Sequence, residues 1–386
     1  MNKLYVCNFA DERYVCQQQL NTKSAYEKGK ADKVLEFHEQ DIIELKRDFP
    51  EHFKIARGGG LWLWKPYIIL KALDMIEDGD YLFYCDSGAV FIDDLHLMIP
   101  DLEASGHDLM VVEQPLLSHC FTKKECYELM DWHGYSGNQI LSGYILMRKS
   151  KQSIAYMQEW LDNMKDIRKA YGKKFLPNIT EFKDFVSHRE DQSVLDILRQ
   201  KWGLIGYRDP SDFGIFPWQY MRAGGYHRKK YPNSHYPVIL LCVRKNNPEA
   251  YERNYRKAVR LHKLGLNNEI TARLRLLPMY MRHWGRLLAE RNGLGFLLDD
   301  DFMGYTLVTL SVGLWTYWHS TSFVDGLLKV VNAGGDADTN AAVACAILGA
   351  KYGFDSIPTE YVEGLIYRDK LEDVTRCLNN IFRASR

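Results

Sequence analysis

The chain has 386 residues with 50 Lys+Arg against 50 Asp+Glu, which at roughly 150 residues per domain points to two or three domains. Balanced charge excludes a nucleic-acid protein driven by bulk positive charge, and no nucleic-acid partner is expected. With 46% hydrophobic and 13% aromatic residues and no low-complexity stretch, the chain can bury a sizeable core and falls outside the disordered class.

In chain order, the apolar run after Lys3 is interrupted by Asp11, Glu12 and Arg13 too soon for a signal peptide, so a cytoplasmic location is expected. Lys3 to Phe9 reads as a strand and Gln17 to Gly29 as a polar helix-like stretch. Further strands are expected at Val34 to Phe37, Tyr81 to Cys85, Leu109 to Glu113, Gly143 to Met147 and Val238 to Val243. Pro66 suits a first helical turn, and Ile68, Ile69, Ala72, Leu73 and Ile76 recur at helical spacing until Gly79 stops the pattern. Strand and helix in alternation predict an α/β sheet with helices on its faces over residues 1–245.

Eleven Lys/Arg against four Asp/Glu over 245–292 mark a basic helical linker, taken as 246–292, and seven against twelve an acidic C-terminal module over 293–386. Ile270, Leu274, Leu277, Met281, Trp284 and Leu288 share one helical stripe flanked by arginines, with Pro278 placed to kink it. Two readings of 270–291 stay open: a linker helix packed on a domain, or a basic amphipathic contact with anionic lipid at the inner membrane face. Tyr305 to Trp318, Ser322 to Asn332, Asn340 to Tyr352 and Tyr361 to Leu365 all read as helices, and the first, though apolar, is shorter than the roughly 20 residues of a membrane span. Eight cysteines without a CxxC pair read as reduced thiols.

The most informative stretch of the first zone is RGGGLWLWKPYIILKALDMIEDGDYLFYCDSGAVFIDD, residues 57–94. Tyr81 to Cys85 delivers Asp86, Ser87 and Gly88 to the carboxyl end of a strand, where open α/β sheets place their ligands. A carboxylate there can hold Mg²⁺ or Mn²⁺ against a diphosphate, and Gly88 lets the backbone come close. The order of these segments resembles the GT-A-fold glycosyltransferases, the nucleotide-diphospho-sugar transferase class, over most of residues 3–245. The resemblance implies an α/β, Rossmann-like nucleotide-sugar domain, with Asp86 at the metal and donor sugar and Asp191 near the reacting centre. Trp64, Lys65, Ser87, Gly88, Gly143 and Gln192 fall on the matching substrate-binding segments. The partners implied are a nucleotide-sugar donor and a glycan or lipid-linked acceptor. Many metal-dependent members carry a late histidine where this chain has Leu240-Leu241-Cys242-Val243-Arg244, and a thiol is a poor ligand for Mg²⁺ or Mn²⁺. From the residues alone, Asp191 is either an acid near the reacting sugar or a cap for the helix Gln192 to Gln200. Lys65 either steers diphosphate charge or is a solvated first-turn lysine, and Trp62 and Trp64 are either cleft wall or sugar platform.

A second cluster, Gly334-Gly335-Asp336-Ala337-Asp338-Thr339, opens a small-residue helix and brings two carboxylates and a hydroxyl together, a set suited to Mg²⁺ or to helix capping. With its flanks it resembles the C-terminal segment of the ADP-ribosylglycohydrolase family from about Gly295 onward. The resemblance implies that Asp336, Asp338 and Thr339 are ligands of a two-magnesium site in a small all-α domain that cleaves glycosidic bonds to ADP-ribose. The Gly-Asp turn and Thr/Ser-Asp-Asp element that complete such a site find no match upstream, and Asp299-Asp300-Asp301 align with a different loop. The expectation is therefore a glycosyltransferase fused to a partial module that is a remnant, a binding unit, or half of a site completed by a second copy. The alternative is a Mg²⁺-dependent ADP-ribosylglycohydrolase.

Overall fold

The computed structural model describes residues 2–135, 137–272, 306–334 and 336–384. Contacts divide the chain into two units, Met1–Ala272 and Arg273–Arg386, with the division inside the expected 246–292 segment.

Among the described residues, the first unit is built on a six-stranded sheet of order β2-β1-β3-β6-β5-β7. Its strands are β1 Leu4–Ala10, β2 Lys33–His38, β3 Tyr81–Cys85, β5 Leu109–Leu117, β6 Asn138–Arg148 and β7 Gly206–Arg208. β4 Val90–Phe91 and β8 Leu240–Leu241 form a separate antiparallel pair. β1 lies parallel to β2 and β3, so all three run out at the same edge, whereas β6 runs antiparallel to β3 with Tyr144 opposite Cys85. Residues 138–143 of β6 therefore continue past the end of β3 and wall the space into which Asp86 projects.

Strand periodicity sorts the core onto two faces. Tyr5, Cys7, Leu82 and Tyr84 pack with Ile68, Ile69, Leu73 and Trp160 on one, and Leu4, Val6, Phe83 and Cys85 pack with Phe91, Met98 and Leu240 on the other. The helices Trp64–Asp74, Lys151–Met164 and Glu190–Lys201 cover the first face. Ser150 caps the second of these by accepting from the Gln152 and Ser153 amides.

Three features depart from the sequence expectation. β5 and β6 are longer than predicted, because buried Glu113 and Gln114 in β5 and buried Asn138, Gln139 and Ser142 in β6 break the apolar run without ending the strand. The predicted Val238 to Val243 strand shrinks to β8 and leaves the main sheet. Part of the expected linker packs on this first unit: the helix Pro248–Lys263 is held there by Tyr251, whose hydroxyl donates to Asp212 Oδ2 at 2.9 Å, and by Tyr255 and His262 against Phe216. Residues 273–291 of the basic stripe and Asp299–Asp301 lie outside the described residues.

The chain enters the Trp64–Asp74 helix through a left-handed turn. Gly58, Gly59, Gly60, Leu61 and Trp62 all have positive φ, at 62°, 55°, 95°, 58° and 59°. Glycine adopts this conformation freely, while Leu61 and Trp62 carry a cost of roughly 1–2 kcal/mol each. Burial of Leu61 and the Trp64 Nε1–H bond to the Gly58 carbonyl at 2.9 Å hold the turn in place.

The second unit is helical where described. Thr306–His319, Phe323–Ala333 and Ala337–Tyr352 pack around Val312, Trp315, Val330 and Ala344. Gly313 admits Ile347 and Gly326 admits Leu348, since a Cβ at either would lie 2.6 Å or 2.5 Å from those side chains.

Candidate functional site

A cleft of about 1240 Å³ opens at the carboxyl ends of β1 and β3, and Asp86, Ser87, Gly88, Gly143 and Trp64 line it. Trp64 stacks on Phe9 with ring centroids 4.1 Å apart, which makes it wall and core at once. Asp86 has a half-exposed side chain. Its Oδ1 accepts from the Tyr84 hydroxyl at 2.7 Å and lies 3.4 Å from Lys65 Nζ. Its Oδ2 faces Gly143, where a Cβ would stand only 2.9 Å away, so glycine keeps that oxygen approachable. Burial first, and then the Asp86 charge, push the Tyr84 phenol far above its ordinary value, so it serves as a hydrogen donor.

Lys65 lies behind the floor rather than in solvent, which removes the solvated first-turn reading. It is 2% exposed, and its Nζ stands 2.9 Å from Asp191 Oδ2 and donates to the Ser142 Oγ and carbonyl at 3.2 Å and 3.3 Å. Burial works against the ammonium charge, but Asp191 and Asp86 outweigh it and hold Lys65 above its ordinary value. Asp191 makes no capping hydrogen bond at the start of Glu190–Lys201, so the capping reading also falls. Its Oδ2 is compensated by the Lys65 charge without hydrogen-bond alignment. The residue before it, Glu190, has φ of 37° and pairs with Arg57 at 2.5 Å and 3.1 Å, tying the helix start to the cleft wall. Such a left-handed non-glycine residue is the kind of local strain that functional sites store.

Gln192 does not line the cleft. It belongs to a buried amide chain, donating to Gln139 Oε1 at 2.7 Å, which also accepts from Gln114, while Arg189 donates to Gln114 Oε1 at 2.8 Å. Ser87 spends its hydroxyl on the Phe9 carbonyl at 2.5 Å, pinning the end of β3 to the end of β1. The Gly88 carbonyl accepts from the Arg244 amide at 2.5 Å, and a Cβ on Gly88 would lie 3.3 Å from Arg244 Cα.

Sequence reasoning missed part of the cleft lining: Asp209, Arg244 and Lys245 stand there with Tyr144, Tyr220 and Cys242. Asp209 follows β7 just as Asp86 follows β3, but three residues are too short a strand to signal it. Burial raises the Asp209 carboxyl to about 6, against the pull of the Ser211 amide bonded to its Oδ1 at 2.8 Å. Arg13, Lys46 and Arg57 pair with Asp11, Glu39 and Glu190, whereas Arg244 and Lys245 pair with no carboxylate among the described residues. His227 and His235 sit elsewhere, on Asn138 and Asp101.

Asp86 Oδ2 alone fits a divalent cation as a single hard anchor, the remaining ligands coming from diphosphate and water. In the second unit, Asp336 precedes the helix Ala337–Tyr352 without a side-chain cap. Asp338 accepts from the Thr339 amide at 2.9 Å, and that bond and Asp336 hold its carboxyl below the ordinary value. Asp336 is half-buried and Asp338 and Thr339 are exposed. Among the described residues, no third His, Cys or carboxylate joins Asp336 and Asp338.

Residues 229–386 match the ADP-ribosylglycohydrolase family, starting upstream of Gly295. The chain is 33% identical over 75 residues to the ADP-ribosylarginine hydrolase Tri1 of Serratia proteamaculans (strain 568), covering 19% of this chain and 20% of that protein. It is 39% identical over 61 residues to the ADP-ribosyl-[dinitrogen reductase] glycohydrolase of Rhodospirillum rubrum, covering 16% of this chain and 21% of that protein. The chain thus spans about a fifth of the length of these relatives. Among solved structures it is similar to the galactosyltransferase LgtC with donor and acceptor sugar analogues, at 13% identity and TM-score 0.35 over 66% of this chain and 95% of that one. Mouse xyloside xylosyltransferase 1 is similar at 10% identity and TM-score 0.33, over 62% of this chain and 96% of that one. No helix among the described residues is long and apolar enough to cross a membrane.

Proposed function

We propose that the first unit is a glycosyltransferase that moves a sugar from a nucleotide diphosphate to a hydroxyl acceptor, a surface glycan or lipid-linked sugar by analogy. The observation that carries this reading is the strand-end cleft, lined by Asp86 and by Arg244 and Lys245, cations that pair with no carboxylate among the described residues. A diphosphate bound in that cleft would meet the Arg244 and Lys245 charges, with the Asp86 and Asp209 carboxyls in the same lining. In the transfer, the bond from the anomeric carbon to phosphate oxygen breaks, the bond to acceptor oxygen forms, and the acceptor proton passes to the leaving diphosphate. A cation at Asp86 Oδ2 would neutralise the departing diphosphate. Lys65 holds Asp86 on the cleft floor and Asp191 behind it, where Asp191 is buried and does not line the cleft, so its expected place at the reacting centre is not a direct contact with the cleft.

The test is thermal stability with UDP, GDP, CMP or ADP-ribose, each with and without Mn²⁺ or Mg²⁺. A ligand at 100 times its Kd stabilises the native state by about 2.7 kcal/mol, and Asp86→Ala is expected to abolish that gain for the donor nucleotide. An Asp86→Ala protein that binds and transfers like the parent would refute the assignment.

The second unit is proposed as a partial ADP-ribosylglycohydrolase-like module that binds rather than cleaves, with Mg²⁺ at Asp336, Asp338 and Thr339 if a second copy supplies further ligands. The family match at 229–386 supports the hydrolase alternative. Release of ADP-ribose from ADP-ribosylated arginine by the full chain with Mg²⁺, abolished by Asp338→Asn, would establish that alternative; the expected result is no release from either protein.

A further inference from the structure

Away from the cleft, the segment from Tyr171 to Arg189 has no regular strand or helix and leads directly into the Glu190–Lys201 helix that carries Asp191. Lys123 donates to the carbonyls of Tyr171 and Lys173, and Glu125 accepts the Phe175 amide at 2.9 Å, which fixes its start. Its far part rests on the short turn Ser118–Phe121, where the Cys120 carbonyl accepts the Val186 and Ser187 amides at 2.8 Å and 3.3 Å.

Three different donors meet at that contact. His119 Nε2 lies 2.8 Å and Cys120 Sγ 3.4 Å from Asp184 Oδ2, and all three ligand atoms fall within 4.8 Å of one another. The other ring nitrogen, Nδ1, stands 3.3 Å from the Tyr135 carbonyl. A carbonyl only accepts, so Nδ1 carries the hydrogen, and in the singly protonated ring the Nε2 lone pair points at a carboxylate oxygen. At 2.8 Å the His119–Asp184 contact is a hydrogen bond when the ring is doubly protonated, and the Cys120 thiol donates to the same oxygen, so protons hold the cluster together until a metal displaces them. A backbone carbonyl holding the far ring nitrogen is the usual outer support of a metal-bound histidine. Gly225 adds a separate observation: with φ of 56° it passes beside the thiol, and a Cβ there would come within 2.8 Å of Cys120 Sγ, so glycine leaves that side open. Phe182 packs its edge against the His119 ring at 5.7 Å and shields it.

We propose that His119, Cys120 and Asp184 form a zinc site that braces the 171–189 segment against the Ser118–Phe121 turn and so fixes the start of the Asp191 helix. Thiolate, imidazole and carboxylate together suit Zn²⁺ rather than Mg²⁺ or Ca²⁺, and three protein ligands leave one position for water. The site is independent of the glycosyltransferase reading.

The test uses the full chain stripped with a chelator and titrated with Zn²⁺ alone, then with Co²⁺ as a spectroscopic substitute. The parent protein is expected to bind one equivalent, to show a sulfur-to-cobalt charge-transfer band, and to lose trypsin cleavage at exposed Lys173, Lys174 and Lys183 when metal is added. Cys120→Ser should remove the band, and Asp184→Asn should weaken binding by roughly 100-fold. Asp184 is exposed, so its variant keeps the test valid if Cys120→Ser fails to fold. Absence of binding in the parent, or an unchanged band in Cys120→Ser, would overturn the proposal, the latter by placing the metal on another of the eight cysteines.

Discussion

Replacing Lys65 by methionine is expected to cost about 3–5 kcal/mol of stability and to remove sugar transfer, because it strips the shared cation from two carboxylates in one site. Methionine fills much the same volume, so the loss is electrostatic rather than a cavity. Asp191 would be left with a buried oxygen facing no positive charge, and Asp86 would lose the group that stands 3.4 Å from its Oδ1. The charge account makes a sharper demand: Lys65→Met combined with Asp191→Asn should recover most of the lost stability, since the stranded charge is gone, without recovering activity. Urea unfolding of the four proteins of this cycle measures the coupling. A Lys65→Met protein within 1 kcal/mol of the parent, or a double variant no better than the single, would show that the ammonium is not what holds the floor together.

Asp209→Asn is expected to move stability and activity in opposite directions. Burial raises the folded carboxyl to about 6 from the ordinary 3.8, so the native state holds its proton more tightly than the unfolded chain does. Stability from this group is complete below about pH 4 and is lost as pH rises through about 6, reaching a penalty of about 3 kcal/mol at neutral pH. Asparagine keeps an acceptor for the Ser211 amide and carries no charge, so the variant should match the parent near pH 4 and exceed it near pH 7. If Asp209 handles a proton in the transfer, turnover falls by roughly 100-fold in the same variant. Unfolding measured at both pH values checks the first part, and the pH dependence of kcat/KM checks the second. Equal gains in stability at pH 4 and pH 7 would contradict the buried-charge account, and unchanged turnover would reduce Asp209 to a wall residue.

Asp86 was legible in the sequence because a run of five buried residues ends on it, and strand ends aim side chains at ligand clefts. Lys65 was visible only as a lysine beside two tryptophans. Its burial depends on Ser142 and Asp191, 77 and 126 positions away, and no local pattern carries such a pairing. Asp209 escaped because β7 owes its existence to the side of β5 rather than to its own composition. Asn138, Gln139 and Ser142 hid half of β6 for a related reason: polar groups satisfied by distant residues, here His227, Gln192 and Lys65, look, in one dimension, like a loop.

The left-handed turn at Gly58–Trp62 bears on how this cleft can change over generations. Every single-nucleotide replacement of a glycine codon that alters the residue adds a β-carbon. At Gly60 that carbon would lie 2.6 Å from the Phe53 ring, at Gly58 2.2 Å from the Trp62 ring, and at Gly59 it would meet only the backbone handedness. Drift along this wall therefore runs uphill at each step. New donor or acceptor preferences in descendants of this sequence should arise from the lining outside it, at residues such as Phe213, Tyr220 and Lys245, with the glycine turn handed down unchanged as the fixed jaw.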